Sequence, residues 1–188
     1  YEPGNILRYG ASPAGVVDSY AAVGNAIAAH PEKVYIPAGT YIDTNGPSSH
    51  ARTIASASGF SMRGDGAGNS ILKQFHFDFT VTGSDITIQG LSFIDHNWAL
   101  TLYQCSDVKI SNIYTRGRNT GTGNRAIILK GCNRVTIDSC TFRKHQNGVY
   151  LDQDSTGDMN RDVTCSNSVF ENVENTTGPW CVGFYLRS

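Results

Sequence analysis

The chain has 188 residues, enough for one domain with its own core, and it reads as a single unit over 1–188. A formal net charge of −1 supplies no global field for nucleic acid or an anionic membrane, so neither is expected as a partner. Charged residues make up only 16% beside 20 glycines, a balance that favours a loop-rich β protein over a helical one, and no apolar run reaches the length of a membrane span. Tyr1 opens the chain and no signal peptide follows, so a processed chain or a piece of a longer one is expected.

Asp18 reads as an N-cap for "SYAAVGNAIAAH", where Val23, Ala26 and Ile27 fall at helical spacing and Pro31 ends the run. This helix, over 18–30, is expected to lid the open end of a stack of strands, whose edge is otherwise unpaired. "KVYIPAGTY" from Lys33 and "FSMRGDGAGNSIL" from Phe60 are less regular coils.

From residue 84 a repeat takes over. "DITIQGLSF", "DVKISNIYT", "RVTIDSCTF" and "DVTCSNSVF" align so that Ile86, Val108, Val135 and Val163 recur 22, 27 and 28 residues apart. A period in the twenties marks a solenoid, and the apolar alternation inside each unit marks strands. Gly90, Asn112, Ser139 and Asn167 share one turn position, where small polar side chains can bond along the stack. Phe93, Phe142 and Phe170 share a later one. Another strand follows each loop: "ALTLY" from Ala99, "AIILK" from Ala126, "GVYLD" from Gly148 and "GFYLR" from Gly183. About three short strands and three bends per turn predict an all-β, single-stranded parallel β-helix with regular coils over 84–188. The sequence stops in mid-coil at "GFYLRS", so continuation of the chain, or a partner over that end, is expected.

Cys105, Cys132, Cys140, Cys165 and Cys181 form no CxxC pair, and an odd count spread along strands reads as buried free thiols. Cys105 and Cys132 hold equivalent places in successive coils, as stacking neighbours do. His30, His50, His76, His96 and His145 show no metal-site spacing. A calcium among Asp152, Asp154 and Asp158 lacks the EF-hand pattern, so no metal or cofactor is expected.

The aligned strands turn Leu100, Leu102, Ile127, Leu129, Val149, Leu151, Phe184 and Leu186 inward. Outward they set two ladders: Thr101, Ile128, Tyr150, Tyr185 and Tyr103, Lys130, Asp152, Arg187. Aromatic and charged groups on one face suit sugar stacking and hydroxyl bonding, which makes Tyr103, Lys130, Tyr150, Tyr185, Arg187 and Trp180 the candidate substrate-binding residues. The plainer reading is solvated cross-strand pairing, Lys130 with Asp152 and Asp152 with Arg187. Trp98 and Trp180 either wall the face or belong to the core. Glycoside hydrolysis needs two carboxyls, and Asp152, Asp154 and Glu171 are the candidates, with Asp158 and Glu174 in adjacent loops. In "DSTGD", Asp154 and Asp158 are equally good turn residues. An elimination would instead use Tyr150 or Tyr185 with Lys130, Arg187 or His145.

The opening "ILRYGASPAGVVDSYAAVGNAIAAHPEKVYIPAGTY" resembles the start of the pectate-lyase-like right-handed β-helix superfamily, and its R-Y-G-A-x-P-x-G is most similar to bacteriophage tailspikes and capsule depolymerases. The resemblance implies a right-handed helix and a homotrimeric virion or extracellular protein that binds and cleaves a bacterial surface polysaccharide. Polysaccharide lyase and non-catalytic receptor-binding spike remain the alternatives. The paired-aspartate and G-H-G signatures of polygalacturonases are absent, and "RVTIDSCTF" places Ser139 where pectate lyases carry a histidine. No catalytic residue is carried over from the resemblance.

Overall fold

A computed structural model describes residues 2–46, 51–54, 58–80, 82–118 and 123–171, together with the backbone of Val182–Leu186. Alternation of apolar and polar residues drives each turn of chain to bury one face, and the result is a right-handed parallel β-helix. One wall is a six-stranded sheet, formed by Ala51–Thr53, His76–Phe79, Trp98–Tyr103, Arg125–Lys130, Asn147–Asp152 and Val182–Leu186. The remaining strands form a larger, bent sheet that carries the rest of each coil. Among the described residues every strand pairing is parallel.

The register follows the repeat. Val108 pairs with both Ile86 and Val135, and Val135 with Val163. Ile86, Ile88, Val108, Ile110, Val135 and Ile137 are fully buried. On the six-stranded sheet the inward rows are Leu100, Ile127, Val149 and Leu102, Leu129, Leu151, again buried.

The corners require left-handed backbone. Asp85, Asp107, Arg134 and Asp162 form one such column, with φ of 59°, 54°, 52° and 52°. Gly90, Asn112, Ser139 and Asn167 form the second, at 68°, 51°, 54° and 48°. Gly and Asn enter this region readily, whereas Ser139 and Arg134 do so at roughly 1–2 kcal/mol each. Bonds along the stack offset that cost. Asp138 accepts from Ser166 Oγ at 2.7 Å, Asn167 Nδ2 at 2.8 Å and Ser139 Oγ at 2.9 Å. Those three hydrogen bonds hold its carboxyl below the usual range. Arg134 donates to both oxygens of Asp107, at 2.7 and 2.6 Å.

The phenylalanine column is interrupted. Leu72, Phe93, Thr115, Phe142 and Phe170 occupy successive coils, and Phe142 stacks on Phe170 at 4.8 Å. Beside Thr115 lie His145, whose Nε2 meets Thr115 Oγ1 at 3.0 Å, and His96, whose ring lies 5.1 Å from that of His145. Both imidazoles are buried, and neither ring nitrogen of His96 has a hydrogen-bond partner among the described residues.

The N-terminal helix runs Tyr20–Ala29 and buries Ala22, Val23, Ala26 and Ile27. Asp18 is not its cap, contrary to the sequence reading. The strand Ala14–Asp18 leads directly into the helix, so Asp18 stays on the strand and accepts from Thr44 N at 2.9 Å. Ser19 holds the N-cap position without a side-chain capping bond. Its Oγ instead accepts from Ser12 N and donates to Val17 O. Cys105, Cys132 and Cys140 are buried free thiols, Cys165 is half-buried, and Cys181 lies outside the described residues.

Burial pushes the His145 pKa down to about 4, and burial, followed by repulsion from His145, pushes His96 well below its ordinary value. In the unfolded chain each titrates near 6.5. The unfolded state therefore binds more protons below that pH. Stability is full above about pH 6.5 and falls as pH drops towards 4, by on the order of 3 kcal/mol from His145 alone. Urea unfolding between pH 7 and 4 should show this slope, and His145→Gln should flatten it in part. An unchanged slope would mean that His145 is not held neutral.

Candidate functional site

The site lies on the outer face of the six-stranded sheet, whose pairing fixes which side chains meet. Thr101, Ile128, Tyr150 and Tyr185 stand in one row, and Tyr103, Lys130 and Asp152 in the next. The first row is not an open ladder. Thr101, Ile128 and Tyr150 are 3%, 4% and 4% exposed. Large neighbours fold over it: the Arg125 guanidinium lies 3.8 Å above the Tyr150 ring, and Trp98 packs edge-on to His76 at 5.6 Å. The row is thus a floor, and Arg125 rather than the Tyr150 ring is the group above it. Trp98, with Nε1 donating to Gly123 O at 3.0 Å, remains 39% exposed, so it is not a core residue.

The second row is half-buried and connected. Lys130 Nζ lies 5.2 Å from the Tyr103 ring centre and 3.9 Å from Asp152 Oδ2. Burial, then the Asp78 and Asp152 carboxylates, raise the pKa of Tyr103. Asp78 comes from the preceding coil, one rung across from Thr101. Its Oδ1 is buried without a hydrogen-bond partner among the described residues, and His76 Nε2 stands 3.6 Å away. His76 Nε2 also meets Thr101 Oγ1 at 2.9 Å, and burial lowers its pKa against the opposing pull of Asp78.

Asp154 is organised differently. Oδ1 accepts from Thr156 N, Thr156 Oγ1 and Asp158 N at 2.8, 2.7 and 2.8 Å, and Oδ2 from Gln104 Nε2 at 2.6 Å. These bonds, led by that from Gln104, hold its carboxyl far below the usual range. Gly131, at φ +62°, makes room for it, since a Cβ there would lie 2.7 Å from Asp154 Oδ2. Asp154, Gln104, Tyr103, Asp78, Thr80 and Ser155 together line a cleft of 270 Å³.

Tyr103, Lys130 and Asp152 are therefore neighbours, as the alignment of strands required, and Asp154 shares a cleft with Tyr103. Glu171 is not with them. It ends the strand Val169–Glu171 on the larger sheet, in register with Arg143, whose Nε lies 3.5 Å from Glu171 Oε2. Trp180, Arg187 and the side chain of Tyr185 lie outside the described residues. Sequence reasoning passed over Asp78, Arg125 and Gln104, and saw in His76 only an ordinary histidine. The signal was present for two of them: in "FHFDF" the phenylalanines take the inward phase, which turns His76 and Asp78 outward.

Solved structures share this fold. A Geobacillus virus E2 protein, ORF18, aligns at TM-score 0.67 and 18% identity, over 90% of this chain and 38% of that one. PfbA, a surface adhesin of Streptococcus pneumoniae, aligns at 0.68 and 16%, over 89% and 49%. The catalytic unit of a GH87 α-1,3-glucanase from Streptomyces thermodiastaticus aligns at 0.63 and 19%, over 88% and 30%. The chain thus spans less than half of each of these proteins, and likeness at such identities concerns the fold. A comparison with curated protein sequences finds no match. The family described as rhamnogalacturonase A/epimerase, pectate lyase-like, matches residues 4–179, and the chain belongs to that family.

Proposed function

We propose that this chain binds a bacterial surface polysaccharide along the outer face of the six-stranded sheet and hydrolyses its glycosidic bonds. Family membership supports action on a polysaccharide. The observation that carries hydrolysis is one cleft bounded by two carboxylates in opposite environments, Asp78 and Asp154. Asp154 has four hydrogen-bond donors and stays ionised, which fits it to stabilise positive charge developing on the sugar ring. Asp78, whose buried Oδ1 has no hydrogen-bond partner among the described residues and stands beside His76, is assigned the proton exchange with the glycosidic oxygen or with water. Asp152, held by Lys130, binds sugar hydroxyls with Tyr103 and Trp98. A tailspike-like homotrimer on a virion is part of the same proposal. It rests on the opening motif, and a sedimentation mass of three chains would support it.

Three substitutions divide the roles on a panel of capsular and O-antigen polysaccharides. Asp78→Asn should cut cleavage about 100-fold or more with binding kept within a few fold. Asp152→Asn should weaken binding more than the chemical step. Asp154→Ala should lower the melting temperature and cleavage together, because it releases Gln104 and the turn at residues 154–158. Cleavage unchanged in Asp78→Asn removes Asp78 from the chemistry. Products that absorb as unsaturated uronates would replace hydrolysis with elimination. Wild type that binds every substrate tested and cleaves none would leave a receptor-binding protein.

A further inference from the structure

The strongest charge concentration among the described residues lies away from the proposed cleft, at the corner where the larger sheet hands the chain back to the six-stranded one. Lys73, Arg116, Arg118, Arg143 and Lys144 line a groove of 520 Å³ there, and Asp95 is its single lining carboxylate. Five cations against one acid stand out in a chain whose formal net charge is −1. Their placement is dictated by register. Arg116 pairs with Ile94 on one side and Arg143 on the other, and Lys73 pairs with Ile94. The two guanidinium groups therefore issue from adjacent strands, about 4.8 Å apart, an arrangement in which like charges repel.

Internal anions answer only part of this charge. Asp95 is shared by Arg116, at 3.0 Å, and Lys73, at 3.8 Å. Arg143 has Glu171 at 3.5 Å, yet its buried Nε has no hydrogen-bond partner. Arg118 and Lys144 make no ion pair among the described residues. Each of the five residues is half-buried, and all five line the groove. Lys144 is also held at φ 57°, a conformation costly for lysine, at the point where its side chain joins the groove.

We propose that this corner groove binds the oxyanions of an acidic glycan: carboxylate, sulfate or phosphate groups spaced along a sugar chain. Arginine offers planar paired donors for such groups, and neighbouring coils repeat the donors along the direction a chain would run. Lys73 and Lys144 each stand three residues before strands of the six-stranded sheet, His76–Phe79 and Asn147–Asp152. A glycan gripped at the corner is thereby delivered next to the sheet face. This site is separate from the cleft of Asp78 and Asp154, and its failure would leave that cleft untouched.

Titration calorimetry of the full chain at low salt tests it, with hexagalacturonate, its methyl ester, and sulfated and phosphorylated hexasaccharides. Wild type should bind at least one charged oligomer, more weakly as salt rises, and should not bind the ester comparably. Arg118→Glu/Lys144→Glu should lose about tenfold or more in affinity. Arg118→Gln/Lys144→Gln, with a circular dichroism melt matching wild type, should show a smaller loss in the same direction. Arg118→Gln/Lys144→Gln should still cleave any neutral polysaccharide that wild type cleaves, which separates this site from the proposed chemistry. The proposal is overturned if wild type binds no charged oligomer, if the ester binds as tightly, or if both double variants bind like wild type.

Discussion

Parallel stacking of one coil on the next, at about 4.8 Å, is the constraint on which everything else in this molecule depends. Each backbone N–H and C=O in a strand is satisfied by the coil above or below, so a residue's column is set by register and cannot drift. A column facing inward is apolar over most of its length, as with Leu102, Leu129 and Leu151. A column facing outward collects whatever chemistry the sequence supplies, and collects it at fixed spacing. The rung of Tyr103, Lys130 and Asp152 and the corner of Arg116 and Arg143 are two products of the same rule.

The rule has costs, and the sequence shows where they are met. Corners need left-handed backbone, and three of the residues that supply it, Arg134, Ser139 and Lys144, do so against their own preference. Two are offset by polar bonds to adjacent coils, Arg134 to Asp107 and Ser139 through the Asp138 clamp. The core column has a comparable irregularity. Thr115 is too small and too polar to continue the run of phenylalanines, and the space beside it holds two neutral imidazoles. A local exchange of volume between adjacent columns thereby places titratable groups in an otherwise apolar interior, linking core packing to pH.

Much of this was legible because period two and period twenty-odd are properties of sequence alone. Ile86, Val108, Val135 and Val163 announce their register, and Gly90, Asn112, Ser139 and Asn167 announce a turn column that the dihedral angles bear out. What alternation cannot reveal is what lies over a face. Tyr150 takes the outward phase, yet Arg125 from the neighbouring strand closes over it. Asp18 has the composition of a helix cap, but the preceding strand decides which residue enters the helix. Glu171 sits in a loop-rich stretch near the face in sequence, while its pairing with Arg143 carries it to the larger sheet. Asp78 was hidden for the opposite reason: its coil is irregular, so no alignment of repeats drew attention to it.

Carboxylates across the molecule divide by how fully their oxygens are engaged. Asp107, Asp138 and Asp154 each accept two or more hydrogen bonds, and each has its pKa lowered mainly by those bonds. Such a group is a fixed anion: it clamps a corner or a turn and resists protonation. Asp78 has an oxygen that burial has stripped of water and that no donor replaces. Leaving a buried acceptor unsatisfied costs about 1–3 kcal/mol. Of the two carboxyls that border the cleft, Asp78 is the one with an oxygen still open to a new donor such as a substrate hydroxyl. In the proposed reaction, Asp154 is the fixed anion that faces it across the cleft.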